Sequence, residues 1–160
     1  VEVLDTDCLI ALLKALDDPK NPSNLAAHAL LQELEAQRPQ ARLALPLPVV
    51  SELLTGERPD RWPGLLDYLE KRFALLELNK MAALEAALIF QGWRERGVLD
   101  DPEVKGQARQ CLRTDAFILG IAIAHRCQRV YTLDKRLPAL AGGRIEVVLG
   151  LPEPQQPPLL

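Results

Sequence analysis

Short apolar runs alternate with amphipathic stretches along this chain. Val1–Leu4 is an apolar-biased strand that stops at Asp5. Thr6 or Asp7 is a suitable cap for a helix from Cys8 to about Leu16, whose Leu9, Ile10, Leu12 and Leu13 fall at core-facing spacing. Asp17-Asp18-Pro19 ends it, and Asn21-Pro22-Ser23-Asn24 opens the next helix, Leu25 to Gln37. Arg42–Leu45 reads as a second strand, with Pro46 and Pro48 leading into a helix over Val49–Leu54. A further helix covers Trp62–Lys71, a third strand Phe73–Leu78, and a long amphipathic helix Met81–Arg96, closed by Gly97. Residues Leu99–Gln110 are polar and are assigned no element.

The most informative stretch is Leu112–Leu137. Thr114-Asp115 has the look of a helix start, the chain then runs apolar to Ala124, and a polar break at His125–Arg129 precedes the strand Val130–Leu133, which ends at Asp134. A short helical turn over Lys135–Leu140 and a last strand, Ile145–Leu149, follow. A helix feeding a strand that is apolar throughout points to a parallel sheet covered on both faces. The alternation predicts one doubly wound α/β domain over residues 1–150, with residues 151–160 as a proline-rich tail, extended or disordered.

At 160 residues the chain can bury a core without covalent staples, and with 48% apolar but 4% aromatic residues that core is built from Leu, Ala, Val and Ile. The net charge of -3 argues against a protein that coats DNA electrostatically, but not against a nuclease, because bound cations change the local sign. Three cysteines without CxxC spacing and two histidines leave little for a disulfide framework or a zinc site. No apolar run reaches the ~18 residues of a membrane span, so the expected setting is the reduced cytoplasm, away from membranes.

The candidate chemistry lies in four acids. Asp5 follows the first strand, Glu52 lies in the helix after the second, Asp115 starts the helix before the fourth, and Asp134 ends the fourth. Singly, each has an ordinary explanation: Asp134 and Asp7 are good cap types, Asp115 suits a first helical turn, and Glu52 suits a wet face. Asp5 is harder to explain that way, since Thr6 and Asp7 already suit the cap. Jointly, all four can reach one edge of a parallel sheet, where open α/β folds place their sites. Carboxylates gathered without cations repel one another, and an all-oxygen donor set selects Mg²⁺ or Mn²⁺.

The segments Val-Leu-Asp-Thr-Asp-Cys-Leu-Ile (3–10), Val-Val-Ser-Glu-Leu-Leu (49–54), Arg-Thr-Asp-Ala (113–116) and Tyr-Thr-Leu-Asp-Lys-Arg-Leu (131–137) resemble, in order and rough spacing, the signature segments of PIN-domain nucleases, the fold of VapC-type toxins. The resemblance spans about residues 1–149; the stretch 99–110 and the tail lie outside it. It implies a five-stranded parallel sheet of order 3-2-1-4-5 and metal-dependent cleavage of RNA. It also implies that Asp5, Glu52, Asp115 and Asp134 are the catalytic and metal-binding set, brought within reach of one ion. Thr132 matches a hydroxyl position two residues before the last acid, and Asp7 is an auxiliary candidate. Arg113 and Arg136 are the first candidates for RNA phosphate contacts. The implied partners are an RNA substrate, a small antitoxin and a second copy of the chain, packed through helices around Leu25–Leu34 and Leu65–Leu69. Two other readings compete: a catalytically degenerate PIN fold serving as an RNA-binding or scaffold module, and, more distantly, a haloacid-dehalogenase-like phosphatase suggested by Asp5-Thr6-Asp7. For the latter, Leu9 stands where that family carries Thr or Val.

Overall fold

The computed structural model describes residues 1–18, 20–36, 42–106 and 109–154. Five parallel strands, β1 (Glu2–Leu4), β2 (Leu43–Pro46), β3 (Ala74–Leu76), β4 (Arg129–Thr132) and β5 (Glu146–Leu149), form one sheet of order β3-β2-β1-β4-β5, as expected. Val3, Leu4, Leu43, Ala44, Leu45 and Val130 on the three inner strands are fully buried, which explains their unbroken apolar runs. The helices are α1 (Thr6–Asp17), α2 (Leu25–Ala36), α3 (Leu47–Thr55), α4 (Trp62–Arg72), α5 (Lys80–Glu95), α6 (Pro102–Lys105), α7 (Arg109–Ala124) and α8 (Leu137–Ala141). Among the described residues, no helix is long and apolar enough to cross a membrane.

Helix α7 departs from the sequence reading. It starts at Arg109, so Asp115 is an interior residue and not an opening one. Arg109, Gln110, Leu112 and Arg113 are helix formers, and Leu112, buried like Ala116 and Leu119, extends the apolar stripe one turn earlier than the cap-like Thr114-Asp115 suggests. The helix closes with paired bonds from Arg126 N–H to the Ile123 carbonyl and from Cys127 N–H to the Ala122 carbonyl. This closure puts Arg126 at φ 56, in the left-handed region usually left to glycine. Helices α5 and α7 are the most extensively paired, and Gly120 is what lets them approach. A Cβ there would lie 2.7 Å from the Ala82 carbonyl oxygen and 2.7 Å from the Ala86 nitrogen.

At the amino end of the sheet, Glu2 is a buried acid within a strand. It receives Arg42 Nε at 2.9 Å and the Tyr131 hydroxyl at 3.4 Å, and Arg129 Nε lies 3.5 Å away. Arg42 also reaches Glu33 and the carbonyl of Glu153. The first residues of the tail are thereby docked, with Leu151 against the core; residues 155–160 lie outside the described residues. The leucines expected at an assembly surface are largely core residues: Leu30, Leu31, Leu34 and Leu69 are buried, while Leu25 is exposed. A clearer exposed apolar stripe runs along α5 through Met81, Leu84 and Leu88.

Candidate active site

Strand order reverses direction between β1 and β4, and the crevice beyond their carboxyl ends is where the sequence-predicted acids gather. Leu4 pairs with Tyr131, so Asp5, just past β1, and Thr132, the last residue of β4, stand side by side. Asp5 N–H donates to the Tyr131 carbonyl at 2.9 Å, which continues the ladder by one step. Its side chain, 6% exposed, is then divided between two tasks. Oδ1 accepts from Thr6 N–H at 2.6 Å, making Asp5 itself the cap of α1, whereas the sequence assigned that role to Thr6 or Asp7. Oδ2 accepts from the Thr132 hydroxyl at 2.8 Å. Thr132 is fully buried, and its Oγ1 in turn accepts from Asp134 N–H at 3.0 Å, so one hydroxyl links the first and last acids.

Asp134 is held by Arg136. The guanidinium donates through Nε to Oδ1 at 2.8 Å and through Nη2 to Oδ2 at 2.7 Å, while the Arg136 backbone N–H donates to Oδ1 at 2.9 Å. These bonds hold the Asp134 carboxyl below the usual carboxylate range. Asp115 is in the opposite condition. Half-buried, with the charges of Asp5, Asp134 and Glu52 bearing on it, its carboxyl is pushed up from 3.8 to about 7, chiefly by burial and then by Asp5 and Asp134, with Arg136 opposing. The Asp5 carboxyl is also raised, first by burial, with the Thr132 and Thr6 bonds working against the rise. Glu52, exposed on α3, accepts the hydroxyl of Thr6. Asp7 is exposed on the first turn and adds to the field at Asp5.

The four acids therefore share one electrostatic neighbourhood. Among the described residues, however, no three His, Cys, Asp or Glu side chains lie close enough together to hold one ion. The carboxylates are turned instead toward the donors beside them: Thr132 for Asp5, Thr6 for Glu52 and Arg136 for Asp134. Like-charge repulsion favours that arrangement, since each donor offsets charge that the other acids would otherwise face. The donor chemistry still suits a hard cation. The oxygens come from carboxylates and hydroxyls, and the neighbouring thiol of Cys8 is pushed up to about 12 by burial and by Asp5 and Asp7, so it stays protonated.

Arg136, read from the sequence as a phosphate contact, is thus committed to Asp134, and Arg113 is exposed. Thr6 was not singled out in the sequence. Its position between Asp5 and Asp7, as the first residue of a helix that starts at the sheet edge, is the signal that marks it. A second feature borders the acids. An apolar groove of about 620 Å³ runs between α1, α3 and α4, lined by Ile10, Leu13, Leu53, Leu65 and Tyr68, with Glu52 on its wall.

Compared by sequence, the chain matches no protein-family model and none of the curated proteins. Solved structures do match it. VapBC from Salmonella typhimurium, in a DNA-bound crystal structure, aligns with a TM-score of 0.63 at 16% identity, over 92% of this chain and 96% of that one. VapBC2 from Rickettsia felis, bound to a DNA fragment from its promoter, gives 0.62 at 14% identity over 93% and 98%. A toxin-antitoxin complex from Klebsiella pneumoniae gives 0.58 at 19% identity over 92% and 96%. At these identities the likeness speaks for architecture, and together with the strand order and the crevice it shows that this chain has the fold of a VapC-like PIN domain.

Proposed function

We propose that this chain is a divalent-metal-dependent endoribonuclease that acts in the cytoplasm as the toxin of a toxin-antitoxin pair. The observation that carries the reading is the placement of Asp115: a half-buried carboxyl at the switch point of a parallel sheet with Asp5, Asp134 and Glu52 bearing on it, raised to about 7 first by burial and then by those acids. A fold gains nothing in stability from such crowding, whereas a cation site needs it. Asp5, Glu52, Asp115 and Asp134 are the residues that would hold the ion. When bound, Mg²⁺ or Mn²⁺ would supply polarisation of the phosphate and a water of lowered pKa.

The chain's own residues supply the rest. Thr132 fixes the Asp5 carboxylate against β4 and limits its rotation. Thr6 holds Glu52 over the same crevice. Arg136 keeps Asp134 ionised and opposes the acids bearing on Asp115, so it also lowers the local cost of an approaching phosphate. The likeness to VapBC complexes supports an antitoxin partner. Such a partner would lay an apolar segment in the groove between α1, α3 and α4 and extend a basic side chain past Glu52 to the acids. The stripe Met81, Leu84 and Leu88 is the surface that a homodimer would use.

Induced expression in cells tests this reading. Wild type should arrest growth, and Asp115→Asn at equal protein level should not. Equal arrest by both would exclude nuclease toxicity.

A further inference from the structure

We propose that a second cavity beside the acids binds one nucleotide of the RNA strand, on the flank of the bond to be cut; this rests on the nuclease reading above. The cavity, about 430 Å³, lies between the stretch from Arg96 to Val104 and the loop that follows β4. That size is in the range of clefts that take small ligands (roughly 300–1,000 Å³), so it accommodates a single nucleotide unit. Arg136 lines the cavity and also grips Asp134, which makes its guanidinium a wall shared with the acid crevice. A strand whose scissile phosphate meets the acids would pass its neighbouring nucleotide into this space.

The cavity's charges fit that ligand. Arg96 is seated against two glycines. Its Nη2 and Cζ lie 2.8 and 3.0 Å from where a Cβ at Gly142 would stand, and its Nη1 lies 3.1 Å from one at Gly92. Gly142 sits at φ +59 as the cap of α8, so the chain already favours glycine there. The planar fork is thus placed by packing. Among the described residues, neither Arg96 nor Lys135 has a carboxylate at ion-pair distance, while Arg136 is already engaged. Two cations, one a fork and one a point charge, are left to receive an anion. Asp100 and Asp101 line the same cavity, with Asp101 already engaged and Asp100 placed as the acceptor. Carboxylates there would repel free phosphate but accept a ribose hydroxyl, so the mixed lining selects a nucleotide with a 2′-OH over an inorganic anion or a deoxynucleotide. Arg96 and Lys135 would take the phosphate, and Asp100 the hydroxyl.

The test is anisotropy of a labelled, short single-stranded RNA on the full chain, with chelator present so that no cleavage occurs, across a series of salt concentrations. Arg96→Ala and Lys135→Ala should each weaken binding roughly fivefold to tenfold and reduce the salt slope by about one. Asp100→Asn should narrow the preference for RNA over DNA of the same sequence. Arg58→Ala, an exposed arginine paired with Asp60, is the control and should bind as wild type does. If wild type binds the RNA and both cavity variants match it in affinity and slope, the cavity assignment is wrong while the nuclease reading stands. If wild type binds no RNA, the cavity assignment falls, and the nuclease reading is then decided separately by cleavage with Mg²⁺ or Mn²⁺. If the variants weaken binding in a protein that cleaves nothing with Mg²⁺ or Mn²⁺, the cavity assignment stands and the nuclease reading falls.

Discussion

Replacing Asp115 by Asn should stabilise the metal-free protein, and the gain should depend on pH. The folded-state carboxyl is raised to about 7 from 3.8, so the contribution of this group to stability is intact below the unfolded value and is lost as pH rises through the folded one. Above about pH 8 the unfolded chain carries an ionised Asp115 freely, whereas the folded chain must ionise it among three acids. At about 1.4 kcal/mol per pH unit, the gap between the two values sets a ceiling of about 4 kcal/mol. Because the side chain is partly open to water, screening reduces the expected effect to about 2 kcal/mol. Asn keeps the shape and cannot ionise. In urea titrations under chelator, the variant should therefore exceed wild type by about 2 kcal/mol near pH 8 and by little near pH 4.5. Subtracting the two proteins at each pH removes the titration of distant groups. Saturating Mn²⁺ should reverse the order, because only wild type keeps the full donor set. A variant no more stable than wild type at the higher pH would refute the claim that Asp115 is crowded.

Other substitutions test the frame that presents the acids. Gly120→Ala should cost about 1–3 kcal/mol, because backbone atoms of α5 occupy the space and outweigh the helical preference of Ala; Gly64→Ala, with nothing within 4 Å, should gain about 0.5 kcal/mol, both read by thermal melting. Glu2→Ala should lower urea stability by about 1–2 kcal/mol, because Arg42 and Arg129 lose their shared buried acid but keep Glu33 and Glu146. Arg126→Gly should raise stability by about 1 kcal/mol by relieving the left-handed backbone at the end of α7.

The sheet was legible because its information is local. Val3-Leu4, Leu43–Leu45 and Val130-Tyr131 are buried on both faces, and an unbroken apolar run records that directly. Asp5 and Asp134 were legible because each stands just past such a run. What the sequence concealed depends on partners distant in the chain. Nothing near Glu2 announces Arg42, 40 residues on, and nothing near Thr6 announces Glu52. Asp115 was singled out but placed at a helix start, since a cap-like pair looks the same whether or not helical residues precede it. Arg136 was read only as a phosphate contact, whereas its two-residue spacing from Asp134 allows a bidentate grip that only the folded loop makes. The helices around Leu25–Leu34 and Leu65–Leu69 were chosen for assembly by their leucine content, which says nothing of what α2 and α4 cover.

Asp5, Glu52, Asp115 and Asp134 are proposed to form a metal-dependent nuclease site. Its most direct measurement is cleavage of a labelled RNA by purified wild type and Asp5→Asn, each with Mg²⁺ or Mn²⁺ and with chelator. Wild type should cleave only when the divalent ion is present, and the variant should lose roughly a hundredfold or more. Cleavage that survives chelation, or that proceeds equally in Asp5→Asn, would contradict that assignment.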